Sequence, residues 1–182
     1  IRIGDSVAVM GAGPIGLLTA SIARIAGAGR VFIADKVAHR LELARQIGIE
    51  RTIHTETESV EEAILDQTRG RGVDVVFDAA AALSTINAGI RVARPGGRLV
   101  LIGIPDEIGL PIDIHTAMNK ELNIQTIRRS NHNVHGALDL LDSGKISTKL
   151  ITHHFPLERT PEAFSTLAAY ADGVGKVIIE LP

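Results

Sequence analysis

Three glycines near the amino terminus have the spacing of a phosphate-binding loop. Gly11, Gly13 and Gly16 form a G-x-G-x-x-G pattern that follows an apolar run and opens a segment of helical periodicity. In such a loop the first glycine permits a tight turn, the second lets the backbone approach a pyrophosphate, and the third lets the helix lie against the strand. The N–H groups and dipole at the helix start favour anionic phosphates. The pattern therefore predicts a dinucleotide pyrophosphate site.

An acidic residue stands where such a site needs one. Asp35 ends the second apolar run, 19 residues beyond Gly16, and can accept hydrogen bonds from adenosine ribose hydroxyls while repelling a 2′-phosphate. Together with the glycines it predicts NAD as the cofactor; the alternative is a glycine-rich turn followed by an acidic helix cap. Lys36 and Arg40 either flank the adenine and ribose or belong to a solvated helix start. A methyltransferase is disfavoured, because those motifs usually place an acid where this chain has Met10.

Other reactive residues are weaker candidates. His132 and His135 have one-turn spacing, with Asp139 one turn further, so a metal site is conceivable; surface or capping roles are favoured. The single tyrosine, Tyr170, is far along the chain from the strand ends and is interpreted as a surface or packing residue. We therefore predict no catalytic residue and no metal site within the chain.

The elements that would position these residues alternate regularly. Near-continuous apolar runs rich in β-branched residues suit strands buried on both faces, and segments of helical period separate them. This alternation predicts an α/β fold with a doubly wound parallel sheet, the Rossmann fold, over residues 1–129. The predicted strands are Ser6–Met10, Val31–Ala34, Arg51–Ile53, Val73–Phe77, Arg98–Ile102 and Asn123–Ile127.

The pattern changes after residue 129. Residues 130–182 predict a helix near 134–141, an extended segment at Leu150–Phe155, a helix from Thr160 and a last strand at Lys176–Leu181. Because this tail no longer alternates as βαβ units, we expect it to belong to a second layer or domain. The chain begins at Ile1 and its first strand follows almost at once, so we expect a piece of a longer protein.

Composition excludes several classes of protein. The 182 residues contain 45% hydrophobic residues and carry a formal net charge of −2, which gives no reason to expect nucleic acid or an anionic membrane as a partner. The absence of cysteine excludes disulfides, thiolate metal sites and a cysteine nucleophile. The apolar stretch 7–23 is interrupted by glycines and Pro14, so a strand, turn and helix explain it better than a membrane span. A cytoplasmic location is the default expectation.

Several segments together resemble the coenzyme domain of the medium-chain zinc-dependent alcohol dehydrogenase family, and the likeness is greatest to sorbitol (polyol) dehydrogenases. The resemblance covers essentially the whole chain. The segments that carry it are Gly4–Val7 leading into Gly11–Gly16, Gly72–Asp78, Pro95–Arg98 and Ile151–Glu158.

The resemblance implies roles for individual residues. The glycine loop would line the pyrophosphate, Asp35 and Arg40 the adenosine end, backbone after the fifth strand the nicotinamide carboxamide, and an arginine after the sixth strand the cleft. The residues assigned in this way are Gly11, Gly13, Pro14, Ile15, Gly16, Asp35, Arg40, Ile102, Gly103 and Arg129.

The resemblance also implies an activity, which is reversible hydride transfer between an alcohol or polyol carbon and NAD. Zinc would be held by an N-terminal catalytic domain that is absent from this chain and to which the tail would return, and homodimers or homotetramers would form by sheet-edge pairing near 108–114. One departure concerns the substrate group, because Ala79-Ala80-Ala81 stands where many polyol dehydrogenases have a Cys-Thr-Gly-like turn. The alternatives are a zinc-free enoyl or quinone reductase, which would usually prefer NADPH, and a non-catalytic NAD-binding module.

Overall fold

A computed structural model describes residues 1–130 and 132–182 and contains a six-stranded parallel sheet. The strand order is β3-β2-β1-β4-β5-β6, so the chain winds outward from β1 in one direction and then crosses over to β4 on its other side. This order confirms the predicted doubly wound fold. The strands are β1 (Ser6–Met10), β2 (Arg30–Asp35), β3 (Arg51–His54), β4 (Val73–Asp78), β5 (Ala93–Leu101) and β6 (Asn123–Thr126).

Helices cover both faces of the sheet. Successive residues of β1 point to opposite faces, so Val7 and Val9 pack in one buried cluster while Ala8 and Met10 pack in the other. Because both faces are buried, the strands have the apolar runs from which they were predicted. The helices are α1 (Pro14–Ile25) and α2 (Ala38–Gln46) on the first face, and α3 (Val60–Gln67), α4 (Leu83–Val92) and α5 (Ile114–Asn119) on the second.

The fifth strand is longer than predicted. It begins at Ala93, where Ala93 pairs with Val73, and the register shifts before Val75 pairs with Arg98. The predicted strand, Arg98–Ile102, leaves out the Pro-Gly-Gly sequence that lies between these pairs. The structure places this sequence instead within an irregular part of β5.

The tail has a small sheet of its own. It contains α6 (Val134–Asp142), β7 (Ile151–Pro156), α7 (Thr160–Ala169) and β8 (Lys176–Glu180), and β7 pairs with β8 in a parallel two-stranded sheet. Leu150 joins the buried cluster that contains Leu41 of α2, and the His39 Nε2 atom lies 3.1 Å from the Val174 carbonyl oxygen. The tail therefore docks against α2, a contact that the sequence pattern did not predict.

None of the helices in the described residues is long and apolar enough to cross a membrane.

Candidate cofactor-binding site

The glycine loop joins β1 to α1, and two of its glycines are required by the packing of the chain itself. Gly11 has a φ of +97°, and a Cβ there would lie 3.2 Å from the Ala80 Cβ. A Cβ on Gly16 would lie 1.8 Å from the Gly11 carbonyl oxygen. A side chain at either position would therefore disturb the loop before any ligand is considered.

Gly13 differs from the other two glycines. Its backbone is extended, with φ −67° and ψ 177°, and a Cβ built there meets no atom within 4 Å. Gly13 is the N-cap of α1, which has no side-chain cap, and Pro14 occupies the first turn. Because the chain leaves open space beside the uncapped N–H groups of a helix start, this is where an anionic group fits.

Asp35 lies at the carboxyl end of β2 and is buried. Its Oδ2 atom accepts a hydrogen bond of 2.6 Å from the Ala12 N–H, and its Oδ1 atom accepts one of 2.8 Å from the Val37 N–H. The Arg40 Nη1 atom is 3.9 Å from Oδ2. Asp35 therefore ties the glycine loop to β2, a role that the sequence did not reveal. Each carboxylate oxygen can still accept a further bond, for example from a ribose hydroxyl.

A cleft of about 610 Å³ connects these residues. Its lining includes five of the predicted residues, together with side chains of α3 and α4 and one residue of the tail, Tyr170. The cleft lies where the strand order reverses, at the carboxyl ends of β1 and β4, which is where ligands bind in sheets of this kind. The predicted residues on its lining are Gly11, Gly13, Asp35, Lys36 and Arg40.

Asp78, at the carboxyl end of β4, is a further residue of this region that sequence reasoning missed. It is 0% exposed, and burial raises the pKa of its carboxyl group, although hydrogen bonds from Thr85 and from backbone N–H groups oppose the shift. Its Oδ1 atom accepts a 2.7 Å bond from the Thr85 hydroxyl, and Oδ2 accepts a 2.9 Å bond from the Ala81 N–H. Asp78 thus orders the start of the loop between β4 and α4. The available signal was an acid ending a buried run.

The alanines of that loop contact glycines on both sides. Ala80 lies against Gly11, and Ala81, which has a φ of +59°, lies against Gly103, where an added Cβ would be 2.7 Å from the Ala81 Cβ. The Ile102 and Gly103 N–H groups both donate to the Asp78 carbonyl oxygen, at 2.8 and 3.0 Å. Any backbone contact from these two residues to a nicotinamide would therefore come from their carbonyl groups.

Other predicted residues do not line the cleft. Ile15 is 55% exposed at the start of α1, and Gly16 is buried under the loop. Arg129 is exposed with a φ of +60° and is not on the lining of the cleft. Within residues 1–130 and 132–182, no three His, Asp or Glu side chains come close enough to hold a metal ion, and the candidates His132, His135 and Asp139 form no such group.

Comparison with known proteins identifies the family. Residues 14–143 match the family model described as zinc-binding dehydrogenase, and the chain belongs to this family. Its members are oxidoreductases with a nicotinamide-cofactor-binding Rossmann domain, so the resemblance inferred from the sequence is confirmed.

Individual relatives give more detail. The putative D-xylulose reductase of Rhizobium meliloti (strain 1021) is 40% identical over 184 residues, and sorbitol dehydrogenase of Homo sapiens is 34% identical over 182. These matches cover 100% and 98% of the chain but 53% and 50% of the relatives. A solved putative zinc-binding dehydrogenase from Sinorhizobium meliloti 1021, bound to NADP, superimposes with a TM-score of 0.90 at 31% identity and covers 98% of this chain and 53% of its own. The chain thus spans about half the length of these proteins.

Proposed function

We propose that the chain is the NAD(H)-binding portion of a zinc-dependent alcohol or polyol dehydrogenase, similar to sorbitol dehydrogenase, which transfers hydride reversibly between an alcohol carbon and NAD. The observation that carries the proposal is the open space above Gly13, at an uncapped helix start and in the same cleft as Asp35. That combination suits a ribose joined to a pyrophosphate.

Each part of the cleft has a role in this proposal. The N–H groups at the start of α1 donate hydrogen bonds to the pyrophosphate, and the Asp35 carboxylate accepts a hydrogen bond from a ribose hydroxyl. The carbonyl groups of Ile102 and Gly103 face the nicotinamide amide, beside the loop that Asp78 orders. When bound, NAD supplies the hydride acceptor, and the chain binds and orients it. Arg129 would reach the substrate end of the cleft.

The described residues do not form a set of ligands for zinc. They bring together no three possible ligands among His, Asp and Glu, and the chain contains no cysteine. We therefore assign the metal to residues outside this chain and assign it no step here. In this proposal residues 1–129 form the cofactor domain, and residues 130–182 pack against the catalytic domain.

A homodimer or homotetramer is part of the same proposal. Residues 102–113 follow β5 without regular secondary structure, and Ile104 and Ile108 are fully or largely exposed there. Exposed apolar side chains in the segment that leads from β5 toward the edge strand β6 suit pairing between two coenzyme domains. Light scattering measures this directly, since Ile108→Lys should shift an oligomer toward the monomer.

The cofactor preference tests the proposal most sharply. The negative charge of Asp35 at the ribose end should disfavour a 2′-phosphate by about 1–3 kcal/mol, so NADH should bind more tightly than NADPH by about 5- to 150-fold. Both dissociation constants are measured by fluorescence titration at one salt concentration. Tighter binding of NADPH would overturn the proposed preference for NAD, and equal constants would mean that the charge of Asp35 does not select between the two cofactors.

Asp35→Asn is the matched variant. It removes the charge but keeps the size and one acceptor oxygen, so the ratio of the two dissociation constants should approach one. If the substitution also loosens the hydrogen bond to the Ala12 N–H, the binding of both cofactors should weaken equally. The ratio of the two dissociation constants would not change for that reason, so this ratio is the quantity to measure.

A further inference from the structure

Tyr170, the one tyrosine of the chain, reaches the adenosine end of the cleft from the tail. Its ring centroid lies 4.4 Å from the Arg40 Cζ atom, so the guanidinium group stacks over the ring. Tyr170 lines the same cleft as Asp35 and Lys36. The sequence predicts a surface or packing residue, because Tyr170 lies far along the chain from the strand ends.

Burial does not account for the position of Tyr170. The residue is 45% exposed, so it is not part of the core. It ends α7 in a left-handed backbone conformation, with a φ of 51°, that residues other than glycine rarely adopt. The contacts of the tail with α2, through Leu150 and through the His39–Val174 bond, hold this end of α7 next to Arg40.

The guanidinium group of Arg40 lacks part of its possible hydrogen bonds. Its Nη1 atom is 3.9 Å from the Asp35 carboxylate, and its Nε atom is buried with no hydrogen-bond partner among the described residues. A buried donor without an acceptor is unfavourable unless a ligand supplies the acceptor. Beside the aromatic ring, the guanidinium offers a planar surface and a hydrogen-bond donor.

We propose that Tyr170 and Arg40 together form the wall against which the cofactor's adenine packs, so that the tail contributes a cofactor-binding residue. A purine is flat and carries ring nitrogens that accept hydrogen bonds, which matches an aromatic ring beside a guanidinium group whose terminal N–H groups can donate. This inference rests on the proposed cofactor function and adds a residue that neither the glycine loop nor β2 provides.

Tyrosine fluorescence provides a direct test in the complete 182-residue chain. Because the chain has no tryptophan and one tyrosine, its emission comes from Tyr170 alone. Titration with 5′-AMP should change the tyrosine emission. The dissociation constant obtained from this change should equal the one measured for AMP by calorimetry. Free N-acetyltyrosinamide in the same solutions corrects for light absorbed by AMP. Inorganic pyrophosphate, which has no base, should leave the emission unchanged; an equal change with pyrophosphate would overturn the proposal.

Three variants complete the test. Tyr170→Ala should weaken the binding of AMP and of NADH by the same factor, about 5- to 150-fold. The dissociation constants of Tyr170→Phe should remain within about threefold of wild type, because the ring is retained. Phe164→Ala is the matched control, since Phe164 is an exposed aromatic residue of the same helix that does not line the cleft. It should leave both constants unchanged.

The outcomes separate this inference from the proposed function. If the wild-type chain binds neither NADH nor AMP, the proposed function fails. If it binds both while Tyr170→Ala binds them equally well, or while the emission stays constant, the role of Tyr170 fails and the cofactor function stands. Should Tyr170→Ala not fold, the change in wild-type emission with AMP, compared with pyrophosphate, still tests the role of Tyr170.

Discussion

Replacing Gly13 with valine should separate cofactor binding from folding. A Cβ at this position meets nothing within 4 Å, and the backbone angles of −67° and 177° are open to any residue. The chain should therefore accommodate the side chain. The space that the valine fills is the space proposed for the pyrophosphate.

The expected magnitudes differ widely between the two properties. Loss of the glycine N-cap should cost about 1 kcal/mol of folding free energy at most. A pyrophosphate displaced from two N–H groups loses two hydrogen bonds to a charged group, each worth about 1.5–3 kcal/mol, or about 3–6 kcal/mol together. At about 1.4 kcal/mol for each factor of ten, NADH binding by Gly13→Val should weaken by two to four orders of magnitude.

The assay combines NADH titration with urea unfolding, and Gly16→Ala is the matched control. A methyl group at residue 16 would lie 1.8 Å from the Gly11 carbonyl oxygen, so this variant should lose stability, by about 1–3 kcal/mol or more. If Gly13→Val binds NADH like the wild type, the pyrophosphate binds elsewhere. Instability of Gly13→Val equal to that of Gly16→Ala would refute the assignment of open space.

Three further measurements address stability and activity. The pKa of Asp74 lies well below its usual range, because hydrogen bonds from Arg71, Ser6 and Arg94 outweigh the opposing effect of burial. The ionised carboxylate therefore stabilises the fold at every pH above its unfolded pKa near 4. This stabilisation, on the order of 1–3 kcal/mol, is lost as the pH falls below that value. Urea titrations at pH 6 and pH 3 should show this loss, and Asp74→Asn should flatten it. Lys120→Met should lower the free energy of unfolding by about 1–3 kcal/mol and reduce the Tm, since the Lys120 ammonium group donates to the carbonyl oxygens of Ile90, Arg91 and Ala93, where α4 meets β5. The matched variant Lys149→Met, at an exposed lysine, should leave stability unchanged. Finally, the chain with NAD, zinc and a panel of polyols should form no NADH above the no-protein control; turnover would mean that catalytic groups lie among residues considered structural here.

The fold was predictable because its signals are local. The second strand was expected at Val31–Ala34 and the structure has it at Arg30–Asp35, since a strand buried on both faces must be apolar throughout. The error at β5 has the opposite origin. Pro95-Gly96-Gly97 has the composition of a turn, and the pairing of Ala93 with Val73 that extends the strand is a long-range contact with no local signal.

The site was predictable only in part for the same reason. The glycine loop and Asp35 follow a fixed spacing along the chain, so a pattern reveals them. The importance of Asp78 depends on β4 lying beside β1, and the contact between Arg40 and Tyr170 depends on how the tail docks. Neither arrangement is encoded in the spacing of nearby residues.

Two buried carboxylates fix the loops of the cleft before any ligand arrives. Asp35 ends β2 and holds the Ala12 N–H, and Asp78 ends β4 and holds the Ala81 N–H, so one carboxylate fixes each loop beside the end of β1. A binding surface ordered in advance avoids part of the entropy cost of association. The end of the cleft proposed for adenosine differs, because its wall includes the half-exposed Tyr170 from the tail. Adjustment to the cofactor should therefore concentrate at the Arg40–Tyr170 pair, while the glycine loop changes little.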